Sequence, residues 1–223
     1  MDSIPNDTQS LMQRVADRLV AHEFQCWFYG DSIGFEGLLA ASELIGDRRW
    51  SDFSQGFFRG WATRAAPYQA DDNTAPGHAM CAVAGDTGDD VLKSAIVELA
   101  EHLADRRQVS NVPMTFEDCL RSLREPYGDV AMSAEDRAIL KAPGAGIYVD
   151  CLHFDPPFLA HLAQLTGAEK WSRAAIDQAL GYRSLLRDET TGLYHHFWLE
   201  QTGRPYIIGW GRGQGWALLG LLD

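Results

Sequence analysis

The sequence LIGDRRW at residues 44–50 shares one plan with LTGAEKW at residues 165–171. In both segments an apolar helix end is followed by a glycine, a polar turn and a tryptophan that enters the next helix. A weaker copy, GDTGDDV, occupies residues 85–91. The glycines at positions 46, 88 and 167 are separated by 42 and 79 residues, which is one and two units of about forty residues. A repeat of this length predicts helical hairpins that are stacked in a solenoid or closed into a ring.

The rest of the chain also has mainly helical patterning. Apolar residues recur at helical spacing over residues 11–19, where Asp7 or Thr8 is placed to cap the helix, and again over residues 35–45 and 91–103. Strand-like alternation is limited to short pieces such as Ile147–Val149 and Tyr206–Ile208. Ser110–Gly146 is rich in proline, glycine and acidic residues, which predicts a long loop with one short helix. Long loops that carry Trp, His and Asp between the hairpins favour a ring with its loops at one mouth over an open solenoid.

Composition narrows the functional classes. The 223 residues suit one domain or one large domain cut short, and the net charge of −12 argues against nucleic acid and anionic membranes as partners. The polar, acidic start is no signal peptide, and no apolar run is long enough to span a bilayer. The four cysteines lie far apart, which indicates reduced thiols in a cytoplasmic protein and no metal site. An anionic small substrate would therefore need a local cation, and the sequence carries no signal for an oligomeric state.

The segment GWGRGQGWAL at residues 209–218 has the composition of a binding site. Its glycines permit turns that side chains would forbid, and they separate Trp210 and Trp216 from Arg212. An aromatic face suits a sugar ring, and a guanidinium suits a carboxylate. A nucleotide-binding loop is excluded because no βαβ unit surrounds the segment and no Lys-Ser/Thr pair follows it. These residues therefore predict recognition of a sugar acid.

Two aspartates near residue 150 have different expected roles. Asp150 has apolar neighbours, and partial desolvation favours the neutral carboxyl group that a general acid needs. A helix cap or a buried, hydrogen-bonded aspartate explains Asp150 equally well. Asp155 precedes Pro156 and an apolar helix, so it is expected to be the helix N-cap.

Two further clusters supply candidates for the same site. Asp72 lies in the polar segment Asp71–Gly77 directly before a helix, where it is either a second site carboxylate or a cap. His195 and His196 stand among aromatic residues shortly before the Trp210 segment. Adjacent side chains point in different directions, so at most one of the two histidines should line the site.

With these residues in hand, the chain resembles the unsaturated rhamnogalacturonyl hydrolases of glycoside hydrolase family 105. The likeness runs over most of the chain from about Gly30. It is carried by Tyr148–Leu152 and the hairpin that follows it, by Gly192–His195, by Trp210–Ala217 and, less specifically, by Asp72–Gly77.

The resemblance implies an all-α fold, an (α/α)6 toroid of helical hairpins in a single domain over residues 1–223. It implies release of a 4,5-unsaturated galacturonyl residue from the non-reducing end of rhamnogalacturonan oligosaccharides, without metal or organic cofactor. By this resemblance the reaction would begin with hydration of the enol-ether double bond, in which Asp150 would protonate C4 and help water to add at C5. Asp72 and His195 would position substrate or water, and Trp210, Arg212 and Trp216 would bind the substrate.

A ring of six such hairpins needs about 240 residues plus loops, so the sequence predicts a toroid that is incomplete because the chain ends early, inside a helix. Such a fragment would expose apolar helix faces and be marginally stable, which comparison of its unfolding temperature with that of an extended version would test. Three alternatives stay open at this point: an unsaturated glucuronyl hydrolase acting on glycosaminoglycan disaccharides, a non-catalytic sugar-binding relic, and a purely structural helical repeat.

Overall fold

The computed structural model describes residues 6–24, 28–64, 67–68, 74–119, 123 and 132–223. These residues are mostly helical, which confirms the predicted all-α class. They divide into two compact units, one of Met1–His102 with Phe158–Ser172 and the other of Leu103–Pro157 with Arg173–Asp223. The helices are α1 Asn6–Val20, α2 Tyr29–Ile45, α3 Arg49–Ala62, α4 Gly77–Thr87, α5 Asp90–Asp105, α6 Ala134–Lys141, α7 Cys151–Thr166, α8 Glu169–Leu186 and α9 Gly211–Leu222. The strands are β1 Gln108–Val109, β2 Val112–Pro113, β3 Phe116–Cys119, β4 Gly144–Tyr148, β5 His195–Leu199 and β6 Arg204–Ile208.

The glycine stops that define the repeat are present in the first unit. Gly46, Gly88 and Gly167 follow the last residues of α2, α4 and α7 with φ angles of 76°, 65° and 71°. This left-handed conformation ends a helix and is adopted by glycine without a steric penalty. Trp50 and Trp171 are both buried in the first turn of the helix that follows the turn. The hairpin plan predicted from the sequence is therefore confirmed at these positions.

The start of α1 differs from the prediction. The helix begins at Asn6, so Asp7 and Thr8 lie inside its first turn and do not cap it. An acidic side chain at Asp7 still suits the positive end of the helix dipole. Within the described residues, no helix combines the length and the apolar character that crossing a bilayer requires.

A four-stranded antiparallel sheet, in the order β3-β4-β5-β6, is the centre of the second unit. One side packs on α6, with Phe197, Leu199 and Tyr206 around Leu140. The other side carries a second core, in which Ile147 and Trp198 pack with residues of α8 and α9. The two short strand-like pieces of the sequence lie mainly in β4 and β6, and the sheet extends well beyond them.

The interpretation of Ser110–Gly146 as a long loop was wrong in part. The predicted short helix is α6, but the segment also contains β2, β3 and the beginning of β4. Phe116 pairs with Gly146 and Cys119 with Gly144, which are partners about thirty residues away that local alternation does not reveal. Gly146 allows this pairing, because a Cβ atom there would lie 2.6 Å from the Trp198 carbonyl oxygen and 2.5 Å from the Phe116 ring.

Helix α7 begins at Cys151, five residues before Pro156, where the sequence predicted its first residue. Asp155 is therefore inside the helix and not its N-cap, and Pro156 and Pro157 are also internal. A proline has no N–H to donate, so the carbonyls of Leu152 and His153 lack their helical donors. Helix α9 approaches at this place: a Cβ atom on Gly220 would lie 2.1 Å from the Leu152 oxygen. The absence of a side chain at Gly220 is what lets the two backbones meet.

Cys81 and Cys151 are buried, and burial disfavours the reactive thiolate form of a cysteine. Both are thiols outside any disulfide, and burial raises the pKa of Cys81 to about 12. Burial also raises the pKa of Cys151 well above its ordinary value. Cys26 lies outside the described residues, as does the side chain of Cys119. Within the described part of the chain, no group of three His, Cys, Asp or Glu side chains could hold a metal ion.

Candidate active site

Asp150 lies in the turn that joins β4 to α7. The end of β4 is tied to β5, since the N–H of Val149 donates to the carbonyl of His196 at 2.8 Å. The carbonyl of Asp150 accepts from the N–H of His153 at 3.0 Å, which closes the first turn of the helix. Both backbone contacts fix the carboxyl-bearing residue at the edge of the sheet, with Val149 buried beside it.

His196 is the partner of the Asp150 carboxyl group. Its Nε2 lies 3.0 Å from Oδ2 of Asp150, and the two side chains are 7% and 15% exposed. The imidazole also contacts Trp210 at a ring-centroid distance of 4.0 Å and Tyr148 at 5.2 Å. A carboxyl group paired with an imidazole in a largely buried setting can give or take a proton while its partner balances the charge.

Trp210 and Arg212 form the second part of the site at the start of α9. Trp210 is the residue before the helix, and the guanidinium carbon of Arg212 lies 4.3 Å from the centre of its ring. Such a cation–π contact holds the guanidinium in place, while the Arg212 side chain remains exposed. The Trp210 ring thus touches both the imidazole that meets Asp150 and the cation that the sequence singled out.

Gly213 and Gln214, in the segment at residues 209–218, hold this arrangement in place. A Cβ atom on Gly213 would lie 3.2 Å from both the Trp210 ring and a methyl group of Val149, so a glycine lets these groups pack closely. The Gln214 amide makes two hydrogen bonds to the backbone of Tyr194: its Nε2 donates to the carbonyl at 2.7 Å, and its Oε1 accepts from the N–H at 2.9 Å. Gln214 therefore connects α9 to the residue before β5.

His195, the histidine predicted for the site, points elsewhere. Side chains alternate across a strand, and His195 lies on the side of β5 that carries Phe197 and Leu199. Its Nδ1 is buried without a hydrogen-bond partner among the described residues, and burial lowers its pKa below the ordinary value. The sequence argument that one histidine of the pair lines the site agrees with this geometry, but the imidazole that meets Asp150 belongs to His196. A catalytic part for His195 stays a prediction.

The remaining predicted residues are placed as follows. Trp216 is 8% exposed, and its ring contacts those of His153 and Phe154 at centroid distances of 5.6 and 5.5 Å. It therefore packs α9 against α7, and a substrate-binding role for it stays a prediction. Asp72 lies outside the described residues. Tyr148 and His196 were not among the predicted site residues. Alternation along the strand would have placed His195 and His196 on opposite faces, but it would not have decided which of the two faces Asp150.

With the geometry established, the chain can be compared with known proteins. The profile of Glycosyl Hydrolase Family 88 matches residues 4–223, nearly the whole sequence.

The chain belongs to this family.

Solved structures support the same fold. The family 88 chain is similar to a family 105 glycoside hydrolase of C. acetobutylicum ATCC 824, with a TM-score of 0.67, 18% identity, and coverage of 96% of this chain and 57% of the other. A possible family 105 member from Klebsiella pneumoniae gives a TM-score of 0.65, 17% identity, and coverage of 97% and 57%. An unsaturated glucuronyl hydrolase of Bacillus sp. GL1, responsible for the degradation of glycosaminoglycan, gives 0.58, 20% identity, and coverage of 86% and 50%.

At such identities the likeness shows the fold alone. The family 88 chain spans 57% of the length of the first two of these structures. Comparison with curated protein sequences finds no match. The resemblance seen in the sequence is thus confirmed for the shared fold of families 88 and 105.

Proposed function

We propose that this family 88 chain belongs to a hydrolase that releases a 4,5-unsaturated galacturonyl residue from the non-reducing end of rhamnogalacturonan oligosaccharides. The observation that carries the proposal is the pair of Asp150 and His196, whose side chains lie 3.0 Å apart beside the Trp210 ring that holds Arg212. An acid and a cation so placed suit a substrate that carries a carboxylate next to its reactive double bond.

Arg212 is the residue proposed to bind the substrate carboxylate. Its guanidinium is exposed and can make two parallel hydrogen bonds to a carboxylate, a geometry that lysine does not offer. Trp210 contacts both Arg212 and His196, so it fixes the distance between the cation and the acid. Trp210 therefore serves as a positioning residue here, in addition to any stacking on the sugar that the sequence suggests.

Asp150 is the residue proposed to move the proton. In its neutral form it donates a proton to C4 of the enol ether, which leaves positive charge shared between C5 and the ring oxygen. The resulting Asp150 carboxylate then accepts a proton from the water that adds at C5, so the acid is regenerated. The hemiketal that forms opens and expels the remaining sugar. His196 holds one carboxyl oxygen by its contact with Oδ2 and leaves the other oxygen for the substrate.

The test is turnover of defined unsaturated disaccharides, followed by loss of the ultraviolet absorbance of the conjugated uronate. Consumption of a rhamnogalacturonan disaccharide by the chain, and its loss in Asp150→Asn, would support the proposal. Binding of the disaccharide without turnover, unchanged by Asp150→Asn, would instead identify a sugar-binding relic. A purely structural repeat is disfavoured because His196 links Trp210 to Asp150.

The second candidate is an unsaturated glucuronyl hydrolase acting on glycosaminoglycan-type disaccharides. The likeness to the Bacillus sp. GL1 enzyme favours it, and the same carboxyl group, imidazole and guanidinium would serve the same chemistry. The assay separates the candidates when pectic and glycosaminoglycan disaccharides are compared at equal concentration. A higher kcat/KM for the glycosaminoglycan substrate would overturn the rhamnogalacturonan proposal.

A further inference from the structure

One residue with a strained backbone lies next to the candidate active site. Ile207 in β6 has a φ angle of 59°, and for a β-branched residue this left-handed conformation is a genuine outlier that costs free energy. Such strain persists only where the surrounding structure enforces it, and it is found mainly at functional sites. Neither a tight turn nor a chain end accounts for it, because Ile207 lies within a strand.

The strand ladder places Ile207 opposite His196. On one side of the two residues Phe197 pairs with Tyr206, and on the other side His195 pairs with Ile208. The position between these pairs therefore belongs to His196 on β5 and Ile207 on β6.

The backbone of His196 is bonded to the other neighbouring strand. Its carbonyl accepts from the N–H of Val149, directly after β4, so its polar backbone groups point toward β4 and away from β6. At a position of this kind the two opposite residues exchange no hydrogen bonds and their side chains come closest. An extended Ile207 would therefore place its side chain against the His196 imidazole.

The side chain of Ile207 lies on the other side of the sheet. Alternation along β6 would place it opposite to that of Tyr206, yet Ile207 packs on the α6 side with the cluster that contains Tyr206 and Leu140. The left-handed φ angle explains this departure, since it turns the Cα–Cβ bond relative to the strand. The imidazole of His196 is covered instead by the ring of Trp210, at a centroid distance of 4.0 Å.

We propose that Ile207 is a positioning residue, whose left-handed backbone takes its side chain away from His196 and leaves that place to the Trp210 ring. Trp210 also carries the guanidinium of Arg212, 4.3 Å from its ring centre, and His196 lies 3.0 Å from Asp150. The conformation of Ile207 thus helps to set the position of the cation relative to the acid. Its effect on turnover rests on the proposed function, whereas its effect on the two rings does not.

Three variants separate the backbone of Ile207 from its side chain. Ile207→Gly permits the left-handed conformation and removes the side chain, and Ile207→Val keeps the branched shape and most of the packing. Ile207→Pro keeps an apolar side chain but fixes φ near about −65°, which forbids the left-handed conformation. Because β6 is an edge strand, a proline at a position without ladder hydrogen bonds is tolerated.

The first measurement is the NMR shift of the His196 ring protons, which the ring current of Trp210 displaces. His196→Gln identifies these signals by their loss, and Trp210→Leu shows the shift without the indole. The glycine and valine variants should keep the displaced signals, and the proline variant should lose the displacement. In the second measurement, kcat for an unsaturated disaccharide should stay within about twofold in the glycine and valine variants and fall about tenfold or more in the proline variant.

The opposite order of the variants would contradict the proposal. Loss of the His196 signature in the glycine variant, or its retention in a folded proline variant, would show that packing and not the backbone is responsible. If thermal unfolding shows that the proline variant is not folded, Ile207→Asn decides together with glycine, since asparagine tolerates the left-handed conformation. Both should keep the signature, and its loss in both would overturn the proposal. Failure of the unmodified chain to consume any unsaturated disaccharide would reject the proposed function, and the NMR result would still decide the role of Ile207.

Discussion

The turn before α7 and the interior of that helix each carry an aspartate, and the two side chains differ in burial and in their partners. Asp150 is partly exposed and meets the imidazole of His196. Asp155 is buried, and its Oδ2 has no hydrogen-bond partner among the described residues. Burial raises the pKa of Asp155 to about 8, and the positive charge of Arg106 offsets this only in part. Five residues of sequence therefore separate a carboxyl group that meets an imidazole from one whose pKa is raised to about 8 by burial.

The largest expected effect is at Asp150. Asp150→Asn keeps the shape of the side chain but cannot donate and recover a proton, so kcat should fall by about 10³-fold or more, within the usual size of general acid–base catalysis. Substrate affinity should stay within about tenfold, since the lost interaction belongs to the transition state. Initial rates and equilibrium binding of a defined disaccharide measure both quantities. A variant with more than a tenth of the parent activity would remove Asp150 from the chemistry.

The adjacent residues His196 and His195 are also expected to differ in their effect on turnover. His196→Gln should lower kcat about 10²-fold and move the pH dependence of kcat/KM, because a glutamine can hold the carboxyl group but cannot balance its charge. His195→Gln is the matched variant; because His195 lies on the other side of β5 from His196, it should retain most of the parent activity. The pH–rate profiles of the two variants provide the measurement. A larger loss in His195→Gln would reverse the assignment of the two faces of β5.

A smaller effect, mainly on binding, is expected at Arg212. Arg212→Ala removes charge-assisted hydrogen bonds to the substrate carboxylate, so KM should rise about tenfold to a hundredfold with a lesser change in kcat. Steady-state kinetics over a range of salt concentrations checks this, with Arg183→Ala as the control for loss of an exposed arginine. An unchanged KM would place carboxylate recognition elsewhere.

At Asp155 the smallest effect on turnover is expected, together with a clear effect on stability. The folded-state pKa of about 8 lies above the ordinary value of 3.8, so the unfolded chain loses its proton first as pH rises. The free energy of unfolding should therefore fall between about pH 4 and pH 8 through this group. Asp155→Asn should flatten that dependence and leave kcat within about twofold. Urea unfolding at several pH values measures the slope. A slope equal to that of the parent would show that Asp155 is ionised in the fold.

The helical hairpins were predictable because their signals are local. Gly46, Gly88 and Gly167 end helices through a backbone conformation that the residue type itself favours. The sheet was not predictable to the same extent, because the pairing of Phe116 with Gly146 depends on contacts far apart in sequence. The prediction that Asp155 is a helix N-cap was wrong. Proline is typical of the first turn of a helix, but Pro156 and Pro157 lie inside α7.

The candidate site was predictable in its chemistry and less so in its geometry. Asp150, Trp210 and Arg212 stood out through their neighbours, and the structure connects them through His196. The choice between His195 and His196 depends on the register of β5, and a shift of one residue exchanges the two faces of a strand. No local feature of the sequence fixes that register.

The missing side chain at Gly220 has a consequence for the distant end of its helix. Helix α9 carries Arg212 eight residues before Gly220, and α7 begins directly after Asp150. Because a helix moves nearly as a rigid rod, a methyl group at position 220 would press on the Leu152 carbonyl and displace α9 together with the guanidinium in its first turn. The position of Arg212 relative to Asp150 therefore depends in part on the lack of a Cβ atom eight residues further along the same helix.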